Sequence, residues 1–453
     1  MKTKLLNIWE SLKTNFWFVP TLMATTSVVL ATLLINLDAV IQTDLTNVFS
    51  IFYTGSPDGA REVLGVIAGS MITVAGVVFS ITMVALTLAS NQFGPRLLRN
   101  FMRDTGNKIV LGTFISTFIY CLIVMRTIRG NEGDEFVPHV AVTFGVVLAL
   151  AGIGVLIYFI HHASASIQAD RVVTAVYDEL NEGIKNIFPE HSGANPDEAS
   201  ADIEEIHLPE EENRPSYSIQ SEVEGYIQAV NSDGLMKIAM ENGLVLQLSR
   251  RPGKFVPRGG ELVRIWPEEH VTERMEKSIR KAFIIGHQRT PEQDVEFSMN
   301  QLVEVAVRSL SPSLNDPFTA IICLDYLGAA LCQIAERPIP SRYRFDDQGN
   351  LRVIADSETF SGMMDAALNQ IRQNGIRSVA VTVRLLETLE QIARKAERNE
   401  QRIAVWRHAV MVLRAAEESL QEVADLDDVR ERYQALADIL GEKEELEVAG
   451  GVE

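Results

Sequence analysis

Charge is missing from four long stretches of this 453-residue chain. No Asp, Glu, Lys or Arg falls within 16–37, 63–91, 109–125 or 136–161. These windows approach or exceed the roughly 20 apolar residues that cross a bilayer, so they predict four spans. Carboxylates and amines at membrane depth are what proton relays and coupled transporters use, and their absence argues against a pump or secondary transporter. Cysteine is equally scarce. Cys121, Cys323 and Cys332 form no CxxC or other metal spacing. An odd count with one member in a span reads as free thiols in a reducing compartment. No persuasive small-residue cleavage site follows the first apolar run, and three more spans come after it, so it reads as a span and not a signal peptide. No nucleophile elbow, phosphate-binding glycine loop or zinc spacing is present, so no enzyme, cofactor or metal is expected.

Positive charge is the minority. Lys and Arg number 41 against 60 Asp and Glu, a formal charge of −19. Up to Ser166 the counts are ten and nine, so the remainder carries −20. A surface that acidic repels nucleic acid and anionic headgroups, which excludes DNA and RNA as expected partners and argues against lipid-surface binding by this part.

What is present in the second window is a pattern. Ser70, Thr73, Val77, Ser80, Val84, Thr87 and Asn91 recur at alternating three- and four-residue steps, which on a helix is one face. Other faces carry Ile72, Phe79, Ile81, Met83 and Leu88. One polar stripe on an otherwise apolar helix turns toward protein or water and not toward lipid. A second track, Gly65-x-x-x-Gly69 continuing to Gly76, lets another helix approach closely. The run from 63 to 95 would rise about 50 Å against a hydrocarbon core of about 30 Å, so this helix tilts or continues beyond the bilayer to Gly94-Pro95.

Loop charges orient the spans. Lys2, Lys4 and Lys13 precede the first, and Arg96, Arg99, Arg103 and Lys108 link the second and third. The other links carry Asp38, Asp44 and Asp58, then Glu132, Asp134 and Glu135 partly offset by Arg126 and Arg129. Both termini are therefore expected in the cytoplasm. Lys108 and Arg126 are placed to snorkel from the short third span. His161-His162 reads as an interfacial helix-end pair.

After the transmembrane domain (1–165) the pattern predicts a helical extension (166–188) and an acidic linker (189–215). A small β domain of barrel or barrel-sandwich type follows (216–267), then an all-α domain (268–441) and a disordered acidic tail (442–453). Met236-Lys237-Ile238 mimics a biotinyl-type lysine motif, but Lys237 precedes the Pro-Gly turn and reads as a surface lysine. One hairpin, YRF and LRVI around Asp346–Asn350, interrupts the helices.

Two clusters remain. His287, Arg289 and Asp294 gather an imidazole, a guanidinium and a carboxylate at a helix junction; Asn315 and Asp316 sit in a capped helix break with Pro317 in the first turn. Either they hold helices to the β domain, or Arg289 and His287 grip an anion while Asp294 orients the histidine. A hydrolase centred on His287, Asp294 and Asp316 is a third reading.

The four-span opening, NQFGPRLLRNFMRD, YIQAV…RPGKFVPRGG and GHQRTPEQDVEFSMNQLVEVAVRSLSPSLNDPFTA together resemble bacterial predicted membrane proteins grouped as domain of unknown function 2254. The resemblance implies a bacterial inner-membrane protein with a cytoplasmic C-terminal half, and carries no catalytic residues with it. The residues themselves support a homo-oligomeric channel in the lipid bilayer. In it the second span lines a path for inorganic ions, favouring cations, above an acidic vestibule. The alternative is a membrane-anchored sensor or scaffold.

Overall fold

The computed structural model describes residues 15, 17–44, 56–94, 104–131, 134–166, 168–188 and 215–441. All of the acidic linker but its last residue, the tail 442–453, and the basic residues Lys2, Lys4, Lys13, Arg96, Arg99 and Arg103 lie outside the described residues, as does Glu132. The chain forms two compact units, Met1–Arg171 and Val172–Glu453.

In the first unit the four apolar windows are the helices α1 (Phe18–Asp44), α2 (Pro57–Phe93), α3 (Thr105–Thr127) and α4 (His139–Ser166), with a short hairpin, β1 (Arg129–Asn131) and β2 (Asp134–Phe136), between the last two. α2 has 37 residues and rises about 55 Å, longer than the hydrocarbon layer. Ser56 caps its start by accepting from Gly59 N at 3.2 Å, and Pro57 needs no amide partner there. Gly94 ends it at φ 105, its N–H donating to Ser90 O.

α3 is the inner helix of the four, packed on α1, α2 and α4, with Phe114, Tyr120 and Cys121 buried. Lys108, expected to snorkel, is instead buried at 1% exposure. Helix phase explains the difference. Lys108 lies one turn before Gly112, where a Cβ would meet Met23 and Pro20 of α1, so both face that covered side. Arg126, at the other end, is exposed.

α1 also runs past its expected end. Asp38, read as a loop residue, is buried in the helix and its two carboxylate oxygens accept from Val140 N and Ala141 N, each at 2.9 Å. It satisfies amides that α4 leaves open at its N-terminus. Tyr120 donates to Ala141 O at 2.7 Å beside it, so three helices meet at one knot.

The second unit is entered along α5 (Ala169–Ile187). Eight strands and eight further α-helices follow among the described residues. The strands are β3 (Tyr217–Gln220), β4 (Gly225–Val230), β5 (Val245–Leu248), β6 (Phe255–Val256), β7 (Glu261–Trp266), β8 (Phe283–Gly286), β9 (Tyr343–Phe345) and β10 (Leu351–Ala355). They form two open sheets, β3-β7-β5-β10-β9 and β6-β4-β8, and no barrel closure is seen among the described residues. α6 (Ser232–Asn242) and α7 (Glu273–Ala282) pack on these strands through Leu235, Ala239 and Ile279. Lys237 lies mid-helix on α6, exposed, 3.8 Å from Glu241, and is not presented on a turn.

The stretch read as all-helical therefore gives three strands to the sheets. β8 pairs antiparallel with β4, and the predicted hairpin β9–β10 joins through β10 running parallel to β5. A four-residue apolar run such as Phe283–Gly286 has no period of its own, so only pairing decides its state. The remaining helices are α8 (Val295–Ser309), α9 (Pro317–Ala335), α10 (Phe360–Gly375), α11 (Val379–Ala393), α12 (Asn399–Ser419) and α13 (Val423–Leu440). α9 is apolar and long enough to cross a membrane by composition, yet it is packed among α8, α10 and α11 as a core helix.

Candidate functional site

Helix phase divides α2 into two faces. Ala60, Leu64, Ala68, Met71, Ala75 and Val78 are buried, against α3 and α4. Ser70, Thr73, Val77, Ser80, Val84, Thr87 and Asn91 are all exposed, and at about 100° per residue they centre nearly opposite that buried face. No other helix among the described residues buries them. The hydroxyls of Ser70, Thr73, Ser80 and Thr87 donate to the carbonyls of Val66, Gly69, Gly76 and Met83, at 2.8–2.9 Å. Each hydroxyl proton is thus spent on its own helix, and the oxygen lone pairs are what the stripe presents outward.

The glycines divide in the same way. Gly65 lies beside Met125, where a Cβ would come within 3.7 Å of its methyl, but Gly69 and Gly76 have nothing within 4 Å. Close packing inside the unit is done elsewhere: Gly145 of α4 abuts Leu64, Gly152 abuts Met71, and Gly112 of α3 abuts Met23. Among the described residues the small-residue track at Gly69 and Gly76 therefore serves no contact.

At the far end of α4, His162 Nε2 lies 2.6 Å from Asp104 Oδ2, and Tyr158 stacks on the same imidazole at 5.3 Å. Asp104 also caps α3 by accepting from Gly106 N. The histidine closes two helix ends together. Among the described residues no group of three His, Cys, Asp or Glu could hold a metal.

The second candidate is the charged junction of the other unit. Arg289 forks onto Asp294 through Nε at 2.7 Å and Nη2 at 2.8 Å. Asp294 is 1% exposed and also caps α8 by accepting from Phe297 N. Bidentate pairing and an amide bond satisfy a carboxylate that would otherwise be very costly to bury. Gly253, at φ +85, lies so close that a Cβ there would collide with the Asp294 carboxylate, so the β5–β6 turn needs glycine twice over. Arg251 reaches from the same turn to Glu296 at 2.7 Å and Glu358 at 3.1 Å, with Lys254 on Glu296 at 3.2 Å. Burial raises Glu296, but Lys254, Arg289 and Arg251 together hold it below the usual carboxylate range. Burial wins at Glu358, whose carboxyl is pushed up to about 7 against the pull of Arg251.

A cavity of about 370 Å³ opens beside this junction, lined by Arg251, Arg344, Asp356 and Glu358 over an apolar floor of Leu235, Leu248 and Val353. A wider cleft of about 940 Å³ shares Arg251 and Glu358 with it. His287 is exposed. Asp294 is fully engaged by Arg289 and its cap, so it does not orient His287. Asn315 and Asp316 stand apart from this cluster, their hydrogen bonds all local to the α8–α9 turn. The reading of these residues missed Arg251, Glu296 and Glu358. Only the turn RRPG hinted at them, because their proximity depends on three distant segments meeting.

Four long apolar helices, outward-facing over much of their surface, and a separate mixed helix–sheet unit define a multi-pass helical membrane protein. The chain belongs to the family described as predicted membrane protein DUF2254, whose pattern matches residues 13–391. Uncharacterized proteins of Mycobacterium bovis and of two Mycobacterium tuberculosis strains are each 33% identical to it over 386 residues, covering 84% of this chain and 72% of theirs. No solved structure matches.

Proposed function

We propose that this chain assembles as a homo-oligomeric channel of the bacterial inner membrane, with α2 nearest the axis and its stripe lining a path for small cations. The observation that carries the reading is the exposure of all seven stripe residues on the side of α2 turned away from its own bundle. A polar track facing lipid serves nothing, whereas several copies around an axis would bring the tracks together. Back-bonded hydroxyls offer lone pairs and no protons, which suits a partly dehydrated cation and disfavours an anion. Val77 and Val84 on the same face would supply apolar constrictions. Both termini lie in the cytoplasm in this reading, and the acidic second unit forms a vestibule that concentrates cations.

The test is current across a planar bilayer holding reconstituted protein, with and without membrane tension. Discrete openings are expected, lost in Ser80→Leu and kept in Phe79→Leu. Silence from verified intact oligomers would overturn the channel. A second reading, a membrane-anchored sensor, is favoured by the 370 Å³ cavity at the charged junction, which has the size of a small-ligand pocket.

A further inference from the structure

The second unit is acidic, yet the sixteen residues between Arg308 and Asp325 carry one charge, Asp316. That carboxylate is turned to its own helix, accepting from Thr319 N at 3.1 Å and Thr319 Oγ1 at 2.6 Å. Backbone bonds hold the turn before α9: Leu314 N and Asn315 N both donate to Ser311 O, and Asp316 N donates to Ser309 O at 2.8 Å. Asn315 adopts φ 48, a conformation that asparagine tolerates better than most side chains, and so bends the chain sharply.

This firmly built turn presents apolar side chains to the outside. Phe318 is 74% exposed, more than any other large apolar side chain among the described residues, and Leu314 is 41% exposed. Leaving a Phe in water forgoes a burial that is strongly favourable, and no contact of the fold demands it.

Chain connectivity says what lies within reach. α5 and α9 run side by side in the same direction. Thr174 meets Tyr326 at 3.1 Å, Tyr177 accepts from Gln333 at 2.9 Å, and Phe188 O accepts from Arg337 at 2.6 Å. Both helices therefore begin at one end. From Tyr326 back to Phe318 is about 12 Å of helix, and from Thr174 back to Ala169 about 7.5 Å. Ala169 is three residues from Ser166, the last residue of α4, a separation of at most about 11 Å. The exposed turn thus stands at the end of the unit that the chain ties closely to a membrane helix.

We propose that Leu314 and Phe318 form an apolar wedge that enters the interfacial layer of the leaflet at which α4 ends, so that this turn is a lipid-docking element. Repulsion between anionic headgroups and the acidic unit does not reach the wedge, because its only charge is already engaged at a helix N-terminus. Insertion is driven by apolar area and is therefore insensitive to salt.

The test uses full-length protein in phosphatidylcholine vesicles, carrying an environment-sensitive nitrobenzoxadiazole label on Phe318→Cys or Leu314→Cys, in a Cys332→Ser background. Cys121 and Cys323 are buried, and Phe255→Cys, an exposed site on β6, is the control. Blue-shifted emission at 318 and 314, quenched several-fold more by doxyl-labelled lipid than at 255 and unchanged by high salt, is expected. Water-like emission at 318 overturns the proposal. So does a blue shift that doxyl lipid leaves unquenched, since a second copy or another protein then covers the turn. Circular dichroism matching the unsubstituted protein qualifies each labelled variant.

Discussion

α2 and α9 have nearly the same credentials as membrane helices and opposite environments. Both are long and apolar enough to cross a bilayer, but 17% of the most apolar window of α2 is buried within the chain against 56% for α9. α2 turns one face to its bundle and the rest outward; α9 is wrapped by α8, α10 and α11. Apolarity alone therefore does not place a helix in lipid. What separates the two is whether neighbouring helices of the same chain offer a surface that hides them.

That contrast can be broken most directly by a charge. Leu324 of α9 is fully buried, and Leu324→Asp should cost about 4 kcal/mol or abolish folding, whereas the outward Ile72→Ala in α2 should change stability by about 0.5 kcal/mol or less. Denaturant unfolding of the full chain in detergent reads both. Equal losses would mean that α2 is as enclosed as α9.

A gentler probe compares two glycines. A Cβ on Gly328 of α9 would stand 2.6 Å from Thr388 Cγ2, while one on Gly76 of α2 meets nothing within 4 Å. Gly328→Ala should lose about 2 kcal/mol through overpacking, and Gly76→Ala should be neutral or gain up to about 1 kcal/mol of helix propensity. If Gly76→Leu also shifts the proposed oligomer to monomer by light scattering, a second copy approaches at that glycine. An unchanged oligomer would remove the track from the subunit contact.

A third probe concerns pH and belongs to the second unit. Glu358 titrates near 7 in the folded protein against an ordinary 4.5, because burial disfavours its charge. Between those values the folded state keeps a proton that the unfolded chain releases. The stabilisation from Glu358 is fully present below the lower value and is lost as pH rises through about 7. Glu358→Gln should flatten the fall in stability between about pH 5 and about pH 8, by about 2 kcal/mol. An identical slope in both proteins would show that Glu358 ionises normally.

Some of this could be read along the chain. Four uncharged windows defined the membrane helices, because crossing hydrocarbon is a composition requirement met by each segment separately. The stripe on α2 was legible from its spacing, as was the capped turn at Asp316, because helix phase and capping are local. Strand β8 was not, and β10, legible as half of a hairpin, gave no sign of joining β5. Those pairings join residues 53 to 60 apart for β8 with β4 and 107 apart for β10 with β5. Arg251 and Glu358 escaped for the same reason.

The sequence alone therefore determined that this is a four-span membrane protein with an acidic remainder, since charge content and hydrophobic periodicity act residue by residue. Only the tertiary structure decided that the α2 stripe faces away from its own bundle, that α9 is core, and that Arg289 closes on Asp294. Each of those depends on which distant surface lies opposite a given face, and contact between distant segments leaves no local mark.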